Sequence, residues 1–183
     1  MQRHRAIISM GSNLGNPEEN LALARERLRD MPGLALTGAS PVYFTEPQDM
    51  RDQPWFANQV LRITCPEDMT ATAFLAMLLE LENAMGRKRA YLPESSETAA
   101  KNAVPSPAER YGPRVIDLDL LFFDAEQHTT PHLTLPHPRI LERAFVLVPL
   151  RDLEPNLILP GGQTPGEVLR SLAHAVDGNR IRQ

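Results

Sequence analysis

Two aspartates two residues apart, inside an otherwise apolar run, are the chemically most demanding feature of this sequence. Residues 110–124 read RYGPRVIDLDLLFFD, and Asp117 and Asp119 stand among Ile116, Leu118, Leu120, Leu121, Phe122 and Phe123. On a β-strand, residues i and i+2 point to the same face. Both carboxylates therefore project from one side of a strand whose neighbours call for burial. Like charges held that close repel, and removing them from water is costly unless something compensates. A divalent cation does so, and magnesium favours a few carboxylates together with phosphate oxygens and retained water. Two aspartates can also bridge two ions, the arrangement that brackets an in-line displacement at phosphorus. The bland alternative is an exposed strand face of alternating charge, and the apolar neighbours count against it.

Arginines supply the complementary half. Arg87, Arg89, Arg110 and Arg114 flank a long polar loop, and Arg139 and Arg143 follow further on. Guanidinium groups take phosphate oxygens in pairs, and phosphoryl transfer is mostly positioning and charge stabilisation. Any one of these arginines could equally be a solvated loop residue; six around one carboxylate pair favour a joint role. His137, in LTLPHPRI, could donate to a phosphate or simply serve its turn. Asn58, in WFANQV, offers both donor and acceptor to the edge of a heterocycle. Phe56 lies in phase with it, and Tyr111 and Phe145 could stack on a flat ring, core packing being the alternative for each aromatic. His4, His128, His132 and His174 show no metal-ligand spacing, so no zinc site is expected. The turn GSNLGN (Gly11–Asn16) has no P-loop lysine, and the Pro17, Glu18 and Glu19 that follow would repel phosphate. It does not match the dinucleotide fingerprint either. Nucleotide binding must then rest on side chains and metal.

Several elements must position these groups. Arg5–Met10 reads as a buried strand. Asn16 as N-cap, Pro17 at the first position and the acidic first turn predict a helix over Pro17–Asp30, with a stripe of Leu21, Leu23, Ala24 and Leu28. Leu34–Tyr43 reads as a strand bent or ended by Pro41, and Trp55–Thr64 as another. Thr70–Met85 is predicted helical, with Gly86 closing it. Val115–Phe123 is expected to be the central strand. Leu133–Pro138 is extended, Arg139–Arg143 a short helix, Phe145–Pro149 a further apolar piece and Thr164–Ala175 a terminal helix. Strand–helix–strand–strand–helix–strand is the ferredoxin-like, split-βαβ order of an α+β fold. Both helices would pack on one face, leaving the other free for a site built by loops. The segment Arg87–Pro113, poor in apolar residues across Pro93–Pro107, is expected to be a mobile or inserted loop.

Composition sets the class. A chain of 183 residues with 42% hydrophobic content and net charge −4 fits one globular domain and disfavours a general nucleic-acid binder. Lys88 and Lys101 are the only lysines, so positive charge is almost all arginine. One cysteine, Cys65, allows neither an internal disulfide nor a cysteine metal cluster. There is no 18-residue apolar stretch and no signal-peptide pattern. A cytoplasmic protein, monomeric, with no membrane or nucleic-acid partner, is the expectation.

With these motifs assembled, the chain resembles the 6-hydroxymethyl-7,8-dihydropterin pyrophosphokinase family of folate biosynthesis. The resemblance rests on GSNLGN, TEP (Thr45–Pro47), DQPWFANQV (Asp52–Val60), LELENAMGRKR (Leu79–Arg89), RYGPRVIDLDLLFFD and LTLPHPRILERAFVLVPL (Leu133–Leu150), in the family's order. It implies a ferredoxin-like α+β fold and transfer of the ATP pyrophosphoryl group to the pterin hydroxymethyl, releasing AMP. It further implies that Asp117 and Asp119 hold two magnesium ions. Thr45, Pro47, Phe56, Asn58, Tyr111 and Phe145 fall on pterin-pocket positions. Arg87, Arg89, Arg110 and Arg114 fall on the catalytic loop and its phosphate contacts. Thr134, His137 and Arg143 fall on nucleotide contacts, with Glu82 on the helix beside the site. Three features depart from the family pattern: a longer segment between Arg89 and Arg110, Tyr111 in place of a common tryptophan, and Gln48-Asp49-Met50 after TEP. Two competing classes remain: a binding module that has kept the fold without activity, and an RNA-binding sheet, which would need aromatics on an open sheet face.

Overall fold

The structure, a computed structural model, describes residues 3–47, 52–86 and 113–183. The expectations for Arg87, Arg89, Arg110 and Tyr111, for the segment 93–107 and for residues 48–50 lie outside the described residues.

The first half runs β1 (His4–Ser12), α1 (Pro17–Asp30), β2 (Ala35–Ala39), β3 (Tyr43–Thr45), β4 (Phe56–Cys65), α2 (Ala71–Ala84) and β5 (Asp117–Phe123), the single strand expected over Leu34–Tyr43 being divided around Pro41 into β2 and β3. Both helix starts are capped locally: Asn16 accepts from Glu19 N–H, and Thr70 from Ala73 N–H. Gly86, at φ +98°, closes α2 in the left-handed conformation that glycine tolerates best. Leu21, Ala24 and Leu28 are the buried positions of α1; Leu23, expected in that stripe, is 41% exposed.

β1 is antiparallel to β4 on one side and to β5 on the other, and β4 pairs with both β2 and β3. The α1 and α2 faces pack on one side of this sheet. Ala6, Ile8, Met10, Leu61, Leu118 and Phe123 meet Leu21, Leu28, Phe74 and Leu78 there in one buried cluster. The fold is α+β.

Three further expectations change. β5 is not central: among the described residues it is an edge strand of the sheet. Its apolar character comes from what covers its edge. The buried Glu82 carboxylate, on α2, accepts from Leu118 N–H at 2.6 Å, and His137 N–H donates to Leu121 C=O at 3.0 Å. A buried edge needs such partners for its outward backbone groups.

Nor is the second face free. Beyond β6 (His128–Thr129), β7 (Thr134–Leu135) and a 3₁₀ turn (Ile140–Glu142), the apolar piece after Arg143 is a helix, α3 (Ala144–Leu153). It is apolar nearly all round and lies buried with Ile7, Val60 and Leu121 of the sheet and Val168 and Leu169 of the next helix. Periodicity alone could not tell this run from a strand. Among the described residues, α3 covers the part of that face around Ile7, Val60 and Leu121, where an RNA-binding reading would need exposed aromatics.

The terminal helix is shorter than expected. α4 spans Pro165–Ser171, with a capping box between Thr164 and Glu167. A hairpin then follows, β8 (Ala175–Asp177) and β9 (Arg180–Arg182), turning at Gly178 with φ +57°. Gly178-Asn179, the two residues between the paired Asp177 and Arg180, is a hairpin signal that a helical reading of the region overlooks. β9 pairs parallel to β3, which makes the sheet mixed.

Candidate active site

On the second face, the strands that run beneath α3 turn polar toward their far ends. Gly11 of β1 pairs with Asn58 on one neighbour and Asp117 on the other, and Ser9 pairs with Asp119. Alternation therefore brings Asn58, Asp117 and Asp119 to one side of three adjacent strands. A Cβ on Gly11 would sit 3.0 Å from Asn58 Oδ1 and 4.0 Å from Phe56. Glycine at this point is what allows the Asn58 amide and the Phe56 ring to lie over β1.

Both aspartates face arginine. Arg114 Nη1 lies 2.5 Å from Asp117 Oδ2, and Arg143 Nη1 lies 3.5 Å from Asp119 Oδ2. The two guanidinium groups also stand over aromatic rings, Arg114 over Phe56 at 5.7 Å and Arg143 over Phe145 at 5.4 Å. Planar guanidinium favours such stacking while keeping its donors available. The side chains of Asp117 and Asp119 retain 19% and 32% exposure, so both carboxylates are reachable from solvent.

Asn58 and Thr45 form a buried polar pair beside these groups. Both are 4% exposed, and Asn58 Nδ2 donates to Thr45 Oγ1 at 2.7 Å. That bond fixes the amide rotamer and directs Oδ1 toward Gly11. Pro47 is buried at the end of the same segment. His137 lies near Asp119, Arg139 and Arg143. Burial pushes its pKa down, opposed by Asp119 and reinforced by Arg143 and Arg139. Its Nδ1 accepts from Arg139 N–H at 3.2 Å. In the neutral ring the proton then sits on Nε2, as a donor. Thr134, on β7, is exposed, and Leu135 beside it is buried.

Glu82 lies on the helix beside the site, as expected. It is 0% exposed, and its carboxylate accepts from the β5 backbone between the two aspartates. Asn13 is a positioning residue, one that motif spacing does not single out. It is 2% exposed, accepts from Arg114 N–H at 2.9 Å, and donates to Gln53 and to Pro54 C=O at 3.1 Å each. One side chain thus ties the loop before Phe56 to the residue that faces Asp117. The available signal is a polar residue inside GSNLGN, directly after a buried strand, since a buried polar group must find partners. Cys65 takes no part: it is in the core, with its thiol pushed up to about 12 by burial.

Residues 7–155 match the model of the family described as 7,8-dihydro-6-hydroxymethylpterin-pyrophosphokinase. The chain belongs to this pyrophosphokinase family. It is 37% identical over 168 residues to the 2-amino-4-hydroxy-6-hydroxymethyldihydropteridine pyrophosphokinase of Methylorubrum extorquens, covering 92% of this chain and 93% of the relative. The enzyme of the same name from Pseudomonas aeruginosa is 33% identical over 165 residues, 90% of each chain. The fold is similar to the crystal structure of Plasmodium falciparum HPPK-DHPS wild type with pteroate, with a TM-score of 0.61 and 12% identity over 98% of this chain and 47% of that one. In this pyrophosphokinase the described site residues form two linked groups. Thr45, Phe56, Asn58, Arg114 and Asp117 are one; Asp119, His137, Arg143 and Phe145 are the other.

Proposed function

We propose that this pyrophosphokinase transfers the β,γ-pyrophosphoryl group of ATP to the hydroxymethyl oxygen of 6-hydroxymethyl-7,8-dihydropterin, releasing AMP. The observation that carries the reading is the pairing of Asp117 with Arg114 and of Asp119 with Arg143 beside the buried Asn58–Thr45 pair. Hard oxygen donors, cations for phosphate and a polar edge for a heterocycle stand together there. We take the chain as a single ferredoxin-like domain, a topology that the β5-β1-β4-β2 neighbourhood and the common face of α1 and α2 support.

Asp117 and Asp119 fit magnesium, two ions in this reading. They are accessible carboxylates on one face, and among the described residues no larger cluster of His, Cys, Asp or Glu competes with them. Two protein carboxylates, completed by phosphate and water, suit this ion better than a full protein cage. When bound, magnesium neutralises charge on the phosphate oxygens and lowers the cost of deprotonating the attacking hydroxyl.

The protein's own groups do the rest. Asn58, set by Thr45, reads the edge of the pterin, and Phe56 and Phe145 bound its faces. Arg114 and Arg143, paired with the aspartates here, would be available to phosphate oxygens if the carboxylates held a metal ion. His137 Nε2–H donates to the nucleotide phosphates, and Thr134 contacts the nucleotide. The hydroxymethyl oxygen gives up its proton to solvent and forms a bond to the β-phosphorus in line, the bond from that phosphorus to the α-bridging oxygen breaks, and AMP leaves with the electron pair. Arg87, Arg89, Arg110 and Tyr111 are assigned to closure over phosphate and pterin by the family resemblance alone.

Incubation with ATP, magnesium and the pterin, followed by identification of the nucleotide product, tests this. Pterin-dependent AMP is the expected result. ADP would mean single-phosphoryl transfer, and no product would move the chain to the binding-module class.

A further inference from the structure

Two parts of the candidate site, far apart in the chain, have no covalent reason to keep their spacing. One is the segment Thr45–Pro47 with Asn58 above it. The other is the start of α3, where Arg143 and Phe145 face Asp119. α3 is also the one long helix among the described residues that opens without a local cap: Arg143, its N-cap residue, makes no side-chain capping bond. The first N–H groups of a helix need acceptors, and a buried one needs them most.

Gln183 supplies that acceptor from 39 residues away. Ala144 N–H, in a residue 0% exposed, donates to Gln183 Oε1 at 2.8 Å, and Gln183 Nε2 donates to Glu142 C=O at 2.6 Å. The backbone of the same residue reaches the other part of the site: Gln183 N–H donates to Glu46 Oε1 at 3.0 Å. The strand before it is zipped to the same segment, through Phe44 N–H to Asn179 C=O at 2.7 Å and Glu46 N–H to Ile181 C=O at 3.4 Å. Arg180 and Arg182 stand over Trp55, the residue before Phe56, at 5.7 and 5.9 Å. All of these residues of the hairpin lie beyond the 7–155 stretch that matches the family model.

We propose that Gln183 is a positioning residue that, with the β8–β9 hairpin, sets the distance between the pterin-reading segment Thr45–Pro47 and the phosphate-facing start of α3. The proposal rests on the site assignment above. It predicts that the hairpin tunes pterin recognition without touching the substrate. A residue that served only general stability would shift melting and leave the substrate constants alone.

Gln183→Ala in the full chain is the test, read by steady-state kinetics and by amide exchange at Ala144. A hydrogen bond's net worth corresponds to roughly a three- to tenfold change in an equilibrium constant. The expected result is a rise of about that size in KM for the pterin, with faster exchange at Ala144 and a melting temperature lower by no more than the few degrees that losing one helix cap brings. Gln183→Glu keeps an acceptor for Ala144 N–H but loses the donor to Glu142 C=O, so it should restore slow exchange at Ala144 and only part of the pterin affinity. Unchanged KM in Gln183→Ala, or a lower melting temperature with no change in KM, overturns the proposal. If the unmodified protein forms no pterin-dependent AMP, the site assignment itself has failed, and exchange at Ala144 still reports whether Gln183 caps α3.

Discussion

The two faces of one sheet are built in opposite ways. On the first, β1, β4 and β5 meet α1 and α2, helices that follow their strands directly and carry their own caps, Asn16 and Thr70. The interface is dry, with Phe74 and Phe123 rings 6.2 Å apart at its centre. On the second face the cover arrives late in the chain, as α3 and α4, and reaches only part of the sheet. At the far end the same strands present Asn58, Asp117 and Asp119, with cations brought from residues 114 and 143. The difference shows how one strand can serve both stability and chemistry. Alternation assigns Leu118 and Leu120 to the closed face and Asp117 and Asp119 to the open one.

Breaking the second face should stop the reaction and spare the fold. Asp117→Asn or Asp119→Asn should lower turnover by about a thousandfold or more, because in the proposed reaction these carboxylates are the metal-holding groups. The melting temperature should stay within a few degrees, and activity near the unmodified level would remove both aspartates from the metal assignment.

The first face should respond in the reverse sense. Phe74→Ala leaves a cavity in a side chain that is 0% exposed and should cost about 3–5 kcal/mol in denaturant unfolding. Whatever fraction stays folded should keep its pterin KM. A shift in KM at constant folded fraction would show that the faces are coupled more tightly than the alternation implies.

A third substitution sharpens the boundary between them. Gly11→Ala places a methyl 3.0 Å from Asn58 Oδ1 without a backbone clash. Overpacking at that point should raise the pterin KM by about tenfold and move stability little. An unaltered KM would mean that Asn58 is not the group that reads the pterin.

The smallest expected effect lies on the closed side, at the end of the sheet far from the site. His4 is hydrogen-bonded through Nδ1 to Asp124 and through Nε2 to Glu67 C=O, and the Asp124 bond raises its pKa above the usual 6.5. Because the folded state holds this proton more tightly than the unfolded one, the contribution is complete below pH 6.5. It is lost as the pH rises through the higher folded value. His4→Gln should therefore cost more stability at pH 5.5 than at pH 8.5, with pterin turnover unaffected. Equal losses at both pH values would show that the proton is not held by the fold.

Much of the first face is legible in the sequence because its signals are local. The Asn16-Pro17 start of α1, the closing Gly86 and the extent of β4 all follow from neighbours within a few residues. The i, i+2 spacing of Asp117 and Asp119 likewise makes their common face readable from residue order alone. The edge position of β5 is not readable that way, because an edge strand covered by Glu82 and the His137 backbone carries the same apolar sequence as a central one. The helical state of α3 is hidden for a related reason: a helix buried on most sides loses the polar stripe that marks amphipathic ones.

The alternation of the strands, the capped helices that follow them, and a set of carboxylates, arginines and one asparagine suited to pyrophosphoryl transfer are all written in residue order. Local spacing sets which side of an element a residue takes, and that needs no knowledge of distant partners. Which of those sides meet is a matter of packing across the whole molecule. Asn13 joins residues 53 and 114, Glu82 stands behind the aspartates, and Gln183 caps a helix that begins 39 residues earlier. Such bonds close loops whose length leaves no periodic trace, and they form only once packing has brought their ends together.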